Sequence, residues 1–302
     1  VGEAVGALGE RVGPSITGLT QATLGNLPEL FVGIFALNRG LPGVVRSALV
    51  GSVLGTVLLV LGCAFAAGGF RFGVQRFDPE EPRLTATLLL LAVAALFVPT
   101  LAAHLNSPAA RHTDALSAIC AVLLLLVYAC SVGWSLLRER GAERTPPVGT
   151  WSLGVSVTIL VLSSAAAAAA SDWFVAALEP AAESLGLSVT FTGLVVVAIA
   201  SNAVEHVVGI RFALDGKPDL TMSTTLSSPL QVALFLIPVL VLLSNVIGPS
   251  PLTLVFPPLL VASLGVSAVV LVAVVFDGEY NWPEGVALVG LYGIIAGAFW
   301  WG

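Results

Sequence analysis

Two glutamates of this 302-residue chain, Glu29 and Glu205, lie inside apolar stretches long enough to cross a membrane. Glu29 belongs to GNLPELFVGIFALNRG at residues 25–40, and Glu205 belongs to SNAVEHVVGIRFALDG at residues 201–216. Matching residues of the two stretches keep one separation, 205 − 29 = 176 positions. Two distant segments in one register indicate an internal duplication. A carboxylate inside a membrane costs a few kcal/mol, so two of them at matching positions predict a functional site.

Further polar side chains repeat with the glutamates and could supply neutral oxygen ligands. Asn26 and Asn202 stand three residues before the glutamates, one helical turn away on the same face. The second helix of each copy adds Ser52, Ser228 and Gln231. Ca²⁺ takes about six to eight oxygen ligands, and two carboxylates neutralise one divalent ion. These residues therefore predict a metal site for a hard cation at the junction of the two copies.

The same carboxylates can bind protons, so protonated and cation-bound states compete for one site. Such competition predicts antiport, in which metal leaves as protons enter. His206 follows Glu205 and could tune the exchange or relay protons, or it could serve packing alone, since successive helix positions point about 100° apart. A soft-metal site is not expected, because the three cysteines lie in apolar runs without metal-type spacing.

The composition places these glutamates in a membrane protein. Apolar residues make up 57% of the chain and charged residues only 10%, with a mean hydropathy of +1.00. Soluble domains carry about 25% charged residues, so this chain has too little polar surface for water. The apolar runs are continuous and helix-length, without the alternation of a membrane β-barrel. We therefore predict an all-α membrane protein.

The apolar runs predict about nine transmembrane helices. The predicted spans are residues 15–38, 43–68, 84–104, 114–137, 150–174, 187–214, 221–247, 252–275 and 284–302. When the loops alternate between sides, nine Arg and Lys residues fall on the N-terminal side and three, Arg39, Arg46 and Arg111, on the other. This asymmetry predicts a cytoplasmic N-terminus. The high content of Ala, Val and Leu and the short loops suggest a bacterial inner membrane.

The duplicated stretches open the first and the sixth span, which run in opposite directions. We therefore predict two inverted repeats, residues 1–145 and 146–302, as in many secondary transporters. The first half holds four spans and the second half five, and the chain begins at Val1 with an amphipathic lead-in. We expect that at least one helix of the first half is missing upstream.

The motifs GNLPEL and SNAVEH resemble the paired GNxxE motifs of the cation/proton exchangers, the Ca²⁺/H⁺ branch of the calcium/cation antiporter superfamily. The resemblance covers nearly the whole chain and includes LVGSVLGTVLLVLG and SSPLQVALFLIPVLVLL. It implies a fold with one leading helix and two inverted five-helix halves, of which this chain lacks the first two helices. It also implies that Glu29 and Glu205 are shared Ca²⁺ and proton ligands, with the asparagines, serines and Gln231 at the family's polar positions. Ser201 stands where the family usually has Gly, and Gly55-Thr56 stands where it usually has Ser-Asn.

The resemblance implies Ca²⁺, protons and the lipid bilayer as partners, with no nucleic acid and no resident cofactor. The sequence leaves open whether the chain forms a homo-oligomer. Three alternatives also stay open. The same fold could exchange another cation, by Na⁺/Ca²⁺ or Mn²⁺/H⁺ antiport, or the chain could be an inactive truncated member. An intramembrane hydrolase is disfavoured, because SNAVEHVVG contains no HExxH motif and an Asn before each Glu suits coordination better than acid–base chemistry.

Overall fold

The computed structural model describes residues 26–139 and 153–300, most of which are helical. The N-terminal lead-in, Gly25 and the link between Glu139 and Leu153 lie outside these ranges. The first described part contains α1 (Leu27–Asn38), α2 (Pro42–Leu54), a π-helical segment (Gly55–Val60), α3 (Leu61–Phe72), β1 (Gln75–Arg76), α4 (Glu80–His104), a 3₁₀ turn (Pro108–His112) and α5 (Thr113–Glu139).

The second described part contains the remaining helices. These are α6 (Leu153–Leu185), α7 (Val189–Phe191), a π-helical segment (Thr192–Val197), α8 (Ala198–Ser201), α9 (Ala203–Leu214), α10 (Pro218–Gln231), a π-helical segment (Val232–Leu236), α11 (Ile237–Leu243), α12 (Pro258–Val274), β2 (Glu279–Tyr280) and α13 (Trp282–Ala298).

The separation that relates Glu29 to Glu205 in the sequence also relates the matching helices. Helix α9 begins and ends at the positions that correspond to the two ends of α1, and Pro218 at the start of α10 corresponds to Pro42 at the start of α2. Gly40 and Gly216 end the first helix of each pair with φ of +73° and +66°, a backbone conformation that glycine adopts without cost. The prolines then start the next helices, where a missing N–H is tolerated. The two copies therefore fold alike locally as well as matching in sequence.

The connections between helices gather into two groups. In one group the β1 strand pairs antiparallel with β2, and the Asp78 amide donates to Asp219 Oδ1 at 2.8 Å. In the other group the extended segment 248–257 packs on α2, α4 and α5. The Arg46 guanidinium donates to the Thr253 carbonyl at 3.0 Å, and the Phe256 amide donates to Thr100 Oγ1 at 3.1 Å. In the described part of the chain, these connections thus lie at two ends of the helix bundle.

Small residues set the closest helix contacts. Helix α3 packs on α13 where Gly62 meets Gly285, and a Cβ added at Gly285 would lie 2.3 Å from the Ala66 amide nitrogen. Without side chains at these positions the two backbones can approach closely, as is usual between membrane helices. The core sits around these contacts, because α2, α3 and α10 carry long runs of buried residues.

Among the described residues, four continuous helical stretches are long and apolar enough to cross a membrane. They are Pro42–Phe72, Glu80–His104, Pro108–Trp134 and Pro218–Leu243. The pair Val189–Ser201 and Glu205–Leu214 qualifies as a fifth, bent span. Shorter apolar helices are Leu27–Asn38, Ala165–Leu178, Pro258–Val274 and Trp282–Ala298. Each of the nine predicted spans overlaps one of these segments.

Three predicted spans differ in detail from the observed helices. Span 187–214 is not one straight helix, since it bends by 64° around Asn202, whose φ of −104° and ψ of 8° are not helical. The helix predicted at 150–174 continues to Leu185. The span predicted at 252–275 becomes helical only from Pro258, because the prolines at 249, 251 and 257 keep the preceding segment extended.

Candidate cation site

Each glutamate is the third residue of a helix that begins in the interior. Asn26 precedes α1 with φ of −84° and ψ of 1°, and Asn202 precedes α9 with a similar conformation. Their carbonyls accept the first helical hydrogen bonds, at 3.0 Å, from Leu30 and His206. The free N–H groups of a first helical turn give it a partial positive charge, which favours a carboxylate there. The local fold therefore stabilises Glu29 and Glu205 at matching helix starts.

The two copies are joined through their asparagines. Asn202 Nδ2 donates to Glu29 Oε1 at 2.5 Å and to Ser52 Oγ at 3.1 Å, both in the first copy. In return, Ser228 Oγ of the second copy donates to Asn26 Oδ1 at 3.3 Å. Each asparagine thus reaches the serine of the opposite copy. This reciprocal exchange brings helices α1, α2, α9 and α10 together at one point.

The two carboxylates lie close enough to interact electrostatically, but their surroundings differ. Glu29 is 7% exposed, with Ser52 and Asn202 as hydrogen-bond partners and Ser201 Oγ at 3.5 Å from its Oε1. Glu205 is only partly buried, and Ser228 is its hydrogen-bonding partner. The first glutamate is therefore held more firmly than the second.

Gln231 completes the set on the side of the second copy. Asn26 Nδ2 donates to Gln231 Oε1 at 2.6 Å, and Gln231 Nε2 donates to the Tyr128 hydroxyl of α5 at 2.9 Å. All seven residues predicted for the site therefore meet in one place. Sequence reasoning missed Tyr128, whose signal was a lone phenol in the apolar run AVLLLLVYAC.

Three buried oxygens at this junction have no hydrogen-bond partner among the described residues. They are Glu29 Oε2, Glu205 Oε2 and Asn202 Oδ1. Leaving buried polar atoms without partners is costly, so their convergence fits a bound cation. Among the described residues, no group of three or more His, Cys, Asp or Glu side chains is placed to hold a metal ion. The donors are therefore two carboxylates with amide and hydroxyl oxygens, the chemistry that hard cations prefer.

A cavity leads away from Glu29 between the first two helices. It is lined by Val32, Gly33 and Ala36 of α1 and, on α2, by Val44, Val45, Ala48 and Leu49. Ser201 of the second copy also lines it, next to Glu29.

His206 is buried, being 9% exposed, beside this junction. Its Nε2 has no partner in the described part of the chain, and no hydrogen bond found there joins it to either glutamate. The geometry therefore leaves both of its predicted roles, proton relay and packing, open.

Comparison with known proteins agrees with this geometry. Residues 1–137 and 155–301 match the family model of the sodium/calcium exchanger protein. The Ca²⁺/H⁺ antiporter of Synechocystis sp. (strain ATCC 27184 / PCC 6803 / Kazusa) is 36% identical over 95% of this chain and 83% of its own length. The Ca²⁺/H⁺ antiporter ChaA of Bacillus subtilis (strain 168) is also 36% identical, over 99% of this chain and 87% of its own.

Solved structures of cation exchangers are similar to this chain as well. The structure of native YfkE superposes with a TM-score of 0.84 at 31% identity, covering 99% of this chain and 87% of YfkE. The H⁺/Ca²⁺ exchanger CAX, at 17% identity and a TM-score of 0.73, shares the fold over 99% of this chain and 80% of its own. The expected resemblance to the cation exchangers is confirmed, and the chain belongs to the sodium/calcium exchanger protein family.

Proposed function

We propose that this protein is an antiporter that exchanges Ca²⁺ for H⁺ across a membrane. One observation carries the proposal: two matching helix starts bring the unpartnered carboxylate oxygens of Glu29 and Glu205 to one buried junction. The relatives named Ca²⁺/H⁺ antiporters support the same substrate pair.

The proposed ligands of the transported cation are Asn26, Glu29, Ser52, Asn202, Glu205, Ser228 and Gln231. A carboxyl group ligates a metal only after losing its proton, so binding the cation releases protons and protonation releases the cation. When both carboxylates are charged and no ion is bound, they repel each other, which makes this empty state of the buried site unfavourable. The protein therefore changes between its two open forms with either a cation or protons bound, which is the requirement for tight exchange.

The proposed architecture is that of two inverted repeats, residues 1–145 and 146–302, with the site between them. In this arrangement the four shorter apolar helices cross the membrane as well, giving nine spans, with the N-terminus in the cytoplasm of a bacterial cell. The expectation that two further helices precede these spans stays a prediction. Exchange by alternating access needs no covalent chemistry, so we expect no enzymatic activity.

The test is ⁴⁵Ca²⁺ uptake into everted vesicles under an imposed pH gradient. We expect uptake that a protonophore abolishes. Glu29→Gln and Glu205→Gln should each lower it by more than about tenfold, because each removes one of two charged ligands. Glu81→Gln, at an exposed position of α4 away from the site, is the matched control and should transport normally.

Failure of uptake by folded wild-type protein would reject Ca²⁺/H⁺ exchange. The same vesicles then distinguish the alternatives. Uptake driven by a Na⁺ gradient would indicate Na⁺/Ca²⁺ exchange, and proton-driven ⁵⁴Mn²⁺ uptake would indicate Mn²⁺/H⁺ exchange. Normal uptake by both glutamine variants would reject the shared-ligand assignment while leaving the transported ion established.

A further inference from the structure

The two halves of the site are unequal at one pair of matching positions. Gln231 follows Ser228 by three residues, and Gly55 follows Ser52 by three residues, at the corresponding place in the first copy. Gly55 begins a π-helical segment, and Gln231 directly precedes one. In the second copy the Gln231 side chain links Asn26 to Tyr128. In the first copy there is no side chain to make the corresponding link.

The glycine at position 55 is not required by the backbone or by close packing. Its φ of −59° and ψ of −44° are ordinary helical values that any residue adopts. Gly55 is buried, yet a Cβ built on it would have no described atom within 4 Å, apart from its own helix backbone and chain neighbours. By contrast, a Cβ at Gly51, one turn earlier, would lie 2.2 Å from the Leu194 carbonyl oxygen. Gly55 therefore borders an internal space.

The packing of α13 on α3 predicts a tyrosine near this space. Helix α13 runs antiparallel to α3, with Gly62 against Gly285, and it also contacts the segment Gly55–Val60. Gly55 is seven residues before Gly62 and opens this π-helical segment, and Tyr292 is seven residues after Gly285 on the antiparallel helix. Gly285, Leu288, Tyr292 and Ile295 form the buried face of α13. The contact of α13 with the segment Gly55–Val60 and this equal spacing predict that Tyr292 lies near Gly55, as Tyr128 lies beside Gln231.

The Tyr292 side chain is 6% exposed, and its hydroxyl has no hydrogen-bond partner among the described residues. A buried phenol usually finds a partner, so its isolation next to an internal space needs an explanation. A water molecule in a polar space, hydrogen-bonded to the hydroxyl, would satisfy it. Such a water would occupy the place that the Gln231 side chain fills in the other half.

We propose that Tyr292 is the first-copy counterpart of Tyr128, and that it positions a water molecule beside Gly55 as an oxygen ligand of the transported cation. The inference rests on the proposed function and names a residue for it that lies outside the predicted ligand set. A hard cation that takes about six to eight oxygens commonly includes water among them. The site would then coordinate its ion by a glutamine in one half and by a tyrosine-bound water in the other.

The test compares how uptake depends on Ca²⁺ concentration in three variants. Tyr292→Phe removes only the hydroxyl and should raise the half-saturating Ca²⁺ concentration by about threefold to tenfold, with the maximal rate within about twofold of wild type. Gly55→Leu fills the space and should also raise the half-saturating Ca²⁺ concentration. If both substitutions act through one water, the double variant should raise the half-saturating Ca²⁺ concentration no more than the stronger single variant does.

Tyr280→Phe is the matched control. The Tyr280 hydroxyl is also buried and without a partner among the described residues, but it lies in β2, away from the site. Burial raises the pKa of Tyr280 to about 12, so its phenol stays protonated throughout the assay, and its removal should leave the half-saturating concentration unchanged. An equal shift in Tyr280→Phe would overturn the inference, because the effect would then belong to any buried tyrosine.

The inference can fail separately from the proposed function. If wild-type uptake depends on Glu29 but Tyr292→Phe keeps the wild-type half-saturating concentration, only the inference is overturned. If folded wild-type protein takes up no Ca²⁺, the proposed function fails and the inference falls with it. Equilibrium ⁴⁵Ca²⁺ binding to the purified protein supplies a readout that does not depend on transport, and it should show the same rise in Kd for Tyr292→Phe.

Discussion

Glu29 and Glu205 occupy matching positions in similar local sequences, yet the structure gives them different surroundings. Glu29 is hydrogen-bonded by Asn202 and Ser52, whereas Glu205 has Ser228 and is more exposed. A carboxylate already held in place loses little freedom when an ion binds. We therefore expect Glu29 to act as the fixed ligand and Glu205 as the one that closes onto the cation.

Asn202 is the residue on which this difference depends, because it joins the second copy to Glu29 and Ser52 of the first. Asn202→Ala removes a hydrogen bond to a charged group, which is typically worth about 1.5–3 kcal/mol. We expect at least about a tenfold rise in the half-saturating Ca²⁺ concentration for uptake. Asn245→Ala, which removes an exposed amide at the end of α11, is the control. Unchanged uptake in Asn202→Ala would contradict the assigned role of the cross-copy hydrogen bonds.

At the scale of elements, the site exists because helices begin inside the protein rather than at its surface. The chain bends by 64° around Asn202, and α9 starts there with Glu205 in its first turn. A continuous helix would have paired these N–H groups internally and would have offered no positive end to a carboxylate. The bend also separates α8, which carries Ser201, from α9, which carries Glu205.

Close packing holds the elements around these helix starts, and the contact between α3 and α13 provides a test. Gly285→Ala would place a methyl group 2.3 Å from the Ala66 amide nitrogen, which requires the two backbones to separate. We expect a loss of about 1–3 kcal/mol in the free energy of unfolding, seen as a lower midpoint of thermal unfolding in detergent.

Gly290→Ala lies on the same helix and supplies the control. A Cβ there meets no described atom within 4 Å, so the variant should be as stable as wild type or gain up to about 1 kcal/mol from helix propensity. Equal destabilisation by both variants would show that α13 tolerates no side chain at either place, and would contradict the packing argument.

At the scale of the whole molecule, the connections fall into two groups at opposite ends of the bundle. The connection after α3 meets those before α10 and before α13, through Asp78 with Asp219 and through the pairing of β1 with β2. The extended segment 248–257 meets the other end, where Arg46 donates to the Thr253 carbonyl. Membrane helices cross from one side to the other, so these two ends should face opposite compartments.

Cysteine labelling tests that arrangement. In a chain with Cys63, Cys120 and Cys130 replaced by alanine, Ala109→Cys should react with a membrane-impermeant maleimide added outside intact cells. Lys217→Cys should react only in everted vesicles, because the balance of Arg and Lys places its loop in the cytoplasm. Both positions are exposed. Labelling of both from one side would contradict the alternating connections, and the reversed pattern would contradict the predicted orientation alone.

The sequence alone determined the membrane class, the repeat and the candidate residues of the site. Continuous apolar runs cannot fold in water, and the constant separation between the two copies identifies equivalent positions without any structure. Such features depend on residue type and on neighbours in the chain, which a sequence displays directly.

Only the tertiary structure decided which partners those residues have. The hydrogen bond from Asn202 to Glu29 joins residues 173 positions apart, and the one from Gln231 to Tyr128 joins residues 103 apart. The unequal burial of the two glutamates and the space beside Gly55 likewise arise from helices packing together. These contacts follow from the packing of whole helices, so no local pattern around Tyr128 or Tyr292 could reveal what each side chain would face.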